Sequence, residues 1–251
     1  MFSFKGKTVI VTGGSRGIGA ATVKLFAQLG ANVAYNYHSN QKAADDLYRK
    51  IKSFSGHYFY DVCDVKNFDQ VSEFVTNTIS AFSKIDILVN NAGIWEYGAI
   101  EKMSVSEWER TISTNLDSVF YFTKLVVSHM KENKIEGRII HIASTAGQRG
   151  ESFHSHYAAS KGAIISFTKS LAAELGPAGI IVNCVAPGWV KTDMTRDAIR
   201  TDGSKILNDF PFKKLPVAED IAKPIVFLAS DWASAINGEI LNINAGSVLC
   251  G

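Results

Sequence analysis

Cysteine is scarce in this 251-residue chain: Cys63, Cys184 and Cys250 are far apart, odd in number and free of any C-x-x-C pairing. That excludes a disulfide framework or a zinc site and leaves reduced, structural thiols as the expectation. Long apolar runs are missing too. No stretch approaches the roughly 18 apolar residues that a membrane helix needs, and the opening Met1-Phe2-Ser3-Phe4-Lys5-Gly6-Lys7 has no leader-like apolar core. A cytoplasmic protein without a membrane partner is therefore expected. Charge of one sign is also lacking: 26 basic residues are scattered among 24 acidic ones, for a net charge of +2. Such a balance leaves no electrostatic footprint for nucleic acid and points to small-molecule chemistry. No Pro/Gly/Ser-rich linker, repeat or low-complexity tract divides the chain. One domain over residues 1–251 follows, with 46% hydrophobic content for a large core.

What is present is an alternation. Short runs rich in β-branched residues, Thr8–Val11, Asn32–Tyr35, His57–Tyr60, Ile85–Val89, Arg138–Ile142, Ile180–Val185 and Glu239–Ile243, read as strands separated by helical patterns. About seven strands with intervening helices predict an α/β fold, a doubly wound parallel sheet of Rossmann type with helices on both faces. Between Pro187 and Pro216 the sequence turns polar and irregular around Asp202-Gly203-Ser204. A long insertion after a late strand is usually functional or mobile, so residues 188–216 are expected to form a substrate lid.

The first strand runs straight into Thr12-Gly13-Gly14-Ser15-Arg16-Gly17-Ile18-Gly19, followed by a helical pattern from Ala20 to Leu29 that ends at Gly30. In this context Gly13, Gly17 and Gly19 allow a tight turn, close approach to a pyrophosphate and helix-on-strand packing. The helix N-terminus offers N–H groups to the phosphates.

The spacing G-x-x-x-G-x-G, with Asn90-Asn91-Ala92-Gly93, Asn115, Ser144, Tyr157-x-x-x-Lys161 and Pro187-Gly188 following in order, resembles the short-chain dehydrogenase/reductase family over essentially the whole chain. The resemblance implies a nicotinamide-dependent oxidoreductase of the C=O/CH–OH pair. It implies a cofactor wall from Asn91, Ala92 and Gly93, and an adenine contact from Asp64 and Val65, although Asp64 equally suits a cap for the helix beginning near Asn67. It also brings Pro187, Gly188, Val190 and Thr192 to the nicotinamide end, with the Thr192 hydroxyl on the carboxamide. Ser15 and Ile18 belong to the glycine turn. After strand two, Tyr35-Asn36-Tyr37-His38-Ser39-Asn40 offers no carboxylate to a ribose 2′-hydroxyl. Arg16, with Asn36, His38 and Ser39 as polar partners, suits a 2′-phosphate, so NADP(H) is the expected cofactor.

Tyr157 and Lys161 lie four residues apart in a helical pattern continuing to Leu175, which puts both on one helix face. A tyrosine hydroxyl normally titrates near pH ~10, and the neighbouring ammonium with an oxidised nicotinamide is expected to depress it. Ser144 ends a strand at the carboxyl edge of the sheet, where it can hold the substrate oxygen while Tyr157 moves the proton. By resemblance, Lys161 also binds the nicotinamide ribose, and Asn115 holds a water in the relay that refills Tyr157.

His154-Ser155-His156 has no partner at ligand spacing, so no metal is expected and His156 is read as lining the pocket beside Tyr157. Trp95, Tyr97, Phe153, Trp189 and Met194 suit either an apolar substrate wall or plain packing. Within the family the wording is most similar to bacterial 3-oxoacyl-[acyl-carrier-protein] reductases, notably Val182–Gly188 and Phe227–Asp231. The chain departs from them in Ala173, where a carrier-docking basic residue is common, and in His156, where Asn is usual. An acyl-thioester substrate and another ketone or sugar both stay open. So do an NAD-linked alcohol or sugar dehydrogenase and a catalytically silent NADP-binding protein. The resemblance further implies a homotetramer built on the helices Ser106–Lys131 and Tyr157–Leu175.

Overall fold

The computed structural model describes residues 3–208 and 210–249; Cys250 lies outside them. Seven strands, β1 (Thr8–Val11), β2 (Asn32–Tyr37), β3 (Tyr58–Val62), β4 (Ile87–Asn90), β5 (Arg138–Ile142), β6 (Ile181–Pro187) and β7 (Ile240–Ile243), form one parallel sheet. The helices are α1 (Gly17–Gln28), α2 (Gln41–Ile51), α3 (Phe68–Phe82), α4 (Val105–Ile112), α5 (Ser118–Glu132), α6 (Ala146–Arg149), α7 (Ser155–Leu175), α8 (Arg196–Asn208) and α9 (Ala218–Leu228). Strand bounds fall within two residues of those expected.

Side-chain alternation explains why the strands read as continuous apolar runs. Val9 and Val11 of β1, Ile87 and Val89 of β4 and Ile140 and Ile142 of β5 pack with Phe26 of α1 and Ile221 and Ile225 of α9. The intervening Ile10, Leu88 and Ile139 pack with Phe74 of α3, Phe122 of α5 and Leu171 of α7 on the other face. A strand covered on both sides has no polar face to offer.

The strand order is β3-β2-β1-β4-β5-β6-β7. The chain winds outward from β1 to β3, then crosses back to place β4 on the other side of β1. Connections therefore leave the carboxyl ends of β1 and β4 in opposite directions, which opens the crevice where ligands bind in such sheets.

The Pro187–Pro216 insertion is more ordered than its composition suggests. It contains α8, broken at Asp202, and a small apolar cluster of Ile206, Phe210 and Leu215 packed against Trp189. Asp64 is not the helix cap: the Asn67 side chain accepts from the backbone N–H groups of Asp69 and Gln70 at 3.0 and 3.1 Å. Asn67 sits immediately before α3, as an N-cap must, whereas Asp64 is a turn too early.

Candidate active site

A cleft of about 530 Å³ runs across the carboxyl ends of the strands. The glycine turn forms its floor. Gly17 has φ +55°, a left-handed conformation open to glycine at little cost, and α1 starts there rather than at Ala20. A Cβ on Gly19 would stand 2.4 Å from the Gly13 carbonyl oxygen and 2.6 Å from Asn91 Nδ2, so Gly19 lies beneath the turn and keeps it closed. Gly13, Ser15, Arg16, Gly17 and Ile18 face the cleft. No side chain caps α1 and no acidic residue occupies its first turn. An uncapped helix N-terminus under a glycine turn fits the pyrophosphate of a dinucleotide.

At the end near β2 and β3 the cleft is lined by Asn36, His38, Ser39, Asp64 and Val65. His38, Ser39 and Arg16 are exposed and available to a ligand. Asn36 is not. Its side chain is buried, accepting from the Gly13 N–H at 3.0 Å and donating to the Cys63 carbonyl at 3.1 Å. It ties the glycine turn to the sheet. Tyr37 and Lys66 also line this end. Their positions, at the end of the second strand and just after the third, were the available signal for them.

Asn91, Ala92 and Gly93 line the cleft beyond β4. Thr12, not singled out from sequence, organises them: its hydroxyl accepts from the N–H groups of Asn91 and Ala92, each at 2.9 Å. Asn91 Nδ2 returns bonds to the carbonyls of Thr12 and Gly13 at 2.8 and 3.1 Å. These four bonds hold the ends of β1 and β4 at a fixed separation. A threonine at the last position before a glycine turn is the signal that would have pointed to this.

Ser144, Tyr157 and Lys161 meet at the far end. The Ser144 hydroxyl hydrogen-bonds the Tyr157 phenol and accepts from the Ala146 N–H at 3.1 Å. Lys161 Nζ lies 5.8 Å from the Tyr157 ring centroid and donates to the Ile142 carbonyl at 2.7 Å. All three line the cleft.

Asn115 does not line it. The long helical stretch widens into a π turn at Ser113–Asp117, and Asn115, fully buried there, accepts from the Ile94 N–H at 2.8 Å. Its Nδ2 donates to the Ile94 carbonyl at 3.0 Å and to Ser160 Oγ at 3.2 Å. Asn115 thus pins the chain just beyond Gly93 to the helix that carries Tyr157. A π turn, which sequence periodicity does not announce, gives it that reach.

The electrostatics of the pair are set chiefly by burial. Burial pushes the Tyr157 phenol up to about 12, only partly offset by the Ser144 hydrogen bond, and the nearby Glu151 carboxylate adds to the rise. Burial also lowers the Lys161 ammonium to about 8. Desolvation of the charged form is the largest cause for each group, raising the phenol and lowering the ammonium. Beneath them, His141 is buried with its Nδ1 3.1 Å from Asn90 Nδ2, and burial and Lys161 lower it to about 3. Cys63 and Cys184 are free, buried thiols, each pushed up to about 12 by burial.

The late loops close the site. Pro187, Gly188, Val190 and Thr192 all line it, and a Cβ on Gly17 would stand 3.6 Å from Thr192 Cγ2, so Thr192 sits across from the glycine turn. Trp95, Trp189 and Met194 also line this end. His156 does not: it is buried against Gly98, on the side away from the cleft. Adjacent helical positions point about 100° apart, which sends it away from Tyr157. Among the described residues no cluster of His, Cys, Asp or Glu is arranged to hold a metal. No helix among them is long and apolar enough to cross a membrane.

A dinucleotide crevice, an uncapped phosphate-facing helix and a Ser–Tyr–Lys cluster at its inner end define the class. The chain belongs to the short-chain dehydrogenase/reductase family and is a nicotinamide-dependent oxidoreductase acting on CH–OH and C=O groups. A family model described as enoyl-(acyl carrier protein) reductase matches residues 13–247. Its relatives include the 3-oxoacyl-[acyl-carrier-protein] reductase of Chlamydia trachomatis, 40% identical over 96% of each chain. The 3-oxoacyl-[acyl-carrier-protein] reductase of Synechocystis is 38% identical over 99% of this chain and all of its own. A short-chain dehydrogenase/reductase structure from Brucella melitensis, titled glucose/ribitol dehydrogenase, superposes with a TM-score of 0.93 at 33% identity over 99% of both chains.

Proposed function

We propose that the chain is an NADP(H)-dependent carbonyl reductase whose substrate is a 3-oxoacyl thioester, carried on an acyl carrier protein or a comparable thiol. The observation that carries this reading is the Ser144–Tyr157 contact beside a buried Lys161 at the inner end of the cleft. A phenol poised on the Ser144 hydroxyl can give its proton to a carbonyl oxygen held there. When bound, the nicotinamide supplies the hydride.

The chain's own residues do the rest. Ser144 donates to the carbonyl oxygen and stabilises the charge that develops on it. Tyr157 gives its proton to that oxygen, and Lys161 stabilises the phenolate left behind. Asn115 positions the Ile94 backbone and α7 against each other. Arg16, His38 and Ser39 would receive the 2′-phosphate, supported by the lack of a carboxylate after β2. The glycine turn would take the pyrophosphate, Asp64 and Val65 the adenine, and Asn91–Gly93 with Pro187, Gly188, Val190 and Thr192 the nicotinamide end.

The same reading takes residues 1–251 as one domain with a lid at 188–216, in a cytoplasmic homotetramer. Subunits would meet through α4, α5 and α7, and this is supported by Trp108 and Phe120, 40% and 48% exposed on α4 and α5.

The test is oxidation of NADPH and of NADH with an acetoacetyl thioester, run beside Tyr157→Phe. Turnover with NADPH should exceed that with NADH and fall by about 10²–10⁴ in the variant, the usual worth of a general acid. Faster reaction with NADH, or an active Phe variant, would refute the reading.

A further inference from the structure

Beyond Ser144 and Tyr157 the cleft is walled by rings that proton transfer does not require. Trp95 lies flat on His154, centroids 4.4 Å apart and 2° from parallel, and Trp189 stands edge-on to Trp95 at 5.5 Å and 81°. Trp95 Nε1 donates to Glu151 at 3.3 Å, which fixes the indole within its own plane. Trp95, Trp189 and Glu151 all face the cleft.

The backing is rigid as well. Tyr97 stands at 90° to His154 and stacks on Phe153, 5.5 Å away. The Gly98 N–H donates to the Phe153 carbonyl at 2.7 Å, stapling the two loops together. Phe153 itself holds φ +61°, a conformation that a bulky residue leaves unless its surroundings impose it.

A flexible aliphatic chain is served by any apolar wall and gains nothing from fixed ring planes. A flat ring does gain, because aromatic quadrupoles favour offset-stacked and edge-to-face partners, and this corner presents an indole at each orientation. The corner also disfavours a charged occupant: Glu96 is paired with Arg110, and Glu151 accepts from Trp95 Nε1. We propose that the carbonyl reduced here carries an uncharged planar substituent, aromatic or conjugated, seated in the Trp95–Trp189 corner, and that Trp95 sets this specificity. The proposal rests on the carbonyl-reductase reading above.

The test compares kcat/KM for the N-acetylcysteamine thioesters of 3-oxo-3-phenylpropanoate and acetoacetate, with NADPH, in wild type, Trp95→Leu and Trp95→Phe. Wild type should favour the phenyl substrate by about tenfold, the scale of a good aromatic contact. Trp95→Leu should shrink that ratio by about fivefold through a raised KM for the phenyl substrate, and Trp95→Phe should restore most of it. NADPH binding, followed by fluorescence, reports whether each variant is folded; if the Leu variant is not, the Phe variant and the wild-type ratio carry the test. Wild-type preference for the acetoacetyl thioester, or an equal loss on both substrates, would overturn the proposal alone. No turnover of either thioester by wild type, with NADPH bound, would overturn the carbonyl-reductase reading and this proposal with it.

Discussion

Replacing Lys161 with methionine is expected to stabilise the protein at pH 7 while abolishing turnover. Burial lowers the Lys161 ammonium from 10.5 to about 8, so the unfolded chain holds that proton more tightly than the folded one. The folded-state cost is fully present below pH 8, declines between 8 and 10.5, and is gone above. At about 1.4 kcal/mol per pH unit it amounts to roughly 3 kcal/mol at pH 7. Methionine removes the charge at similar volume but takes away the 2.7 Å donor to the Ile142 carbonyl, a loss of about 1 kcal/mol. A net gain of about 2 kcal/mol remains at pH 7, a rise of several degrees in Tm for a chain of this size. By pH 10 most of the ammonium cost has gone and the two proteins should have nearly equal stability. Urea melts of both, without nucleotide, at pH 7 and pH 10 give the comparison. A variant no more stable than wild type at pH 7, or a gap that does not close by pH 10, would show that the buried ammonium is not the strained element.

Two further substitutions separate nucleotide choice from scaffold. Arg16→Glu should raise the KM for NADPH by about a hundredfold while leaving that for NADH within a few fold, because it sets a carboxylate against a phosphate; steady-state kinetics with both nucleotides decide it, and an equal effect on the two would remove Arg16 from the phosphate site. Asn36→Ala leaves the Gly13 N–H and the Cys63 carbonyl without their bonds, so it should cost about 2 kcal/mol in denaturant melts and weaken NADPH and NADH alike; a loss confined to NADPH would make Asn36 a phosphate ligand after all.

The sheet was legible because a doubly covered strand must be apolar throughout and short, and helical periodicity fills the gaps. The glycine turn was legible because few residues tolerate its backbone, and the Tyr157–Lys161 pairing because four residues make one helical turn. The structural bonds of Asn36 were not legible: polarity beside a phosphate site suggests a ligand, and only the third dimension shows that both ends of its amide are engaged. Asn115 was placed in the right helix but not on its buried partners, since a π turn alters which face a residue presents. The rise that burial gives the Tyr157 phenol was not legible, because a neighbouring ammonium can be read from spacing whereas desolvation depends on how completely other segments cover the pair. The helix in the 188–216 insertion escaped notice because its polar residues outweigh the few apolar ones, Ile206, Phe210 and Leu215, that pack it.

The bare N-terminus of α1 has a consequence for the protein's persistence in a cell. Its first amide hydrogens meet no capping side chain, so the folded chain keeps an unfilled appetite for a negative guest that the unfolded chain does not share. A dinucleotide seated there adds RT ln(1 + [L]/Kd) to the folding free energy, ~2.7 kcal/mol at a hundredfold excess over Kd. Such an increment changes the fraction of chains open to proteases by roughly a hundredfold. A chain that seats its coenzyme there would lose that increment as the coenzyme is depleted, and with it the protection of its folded state.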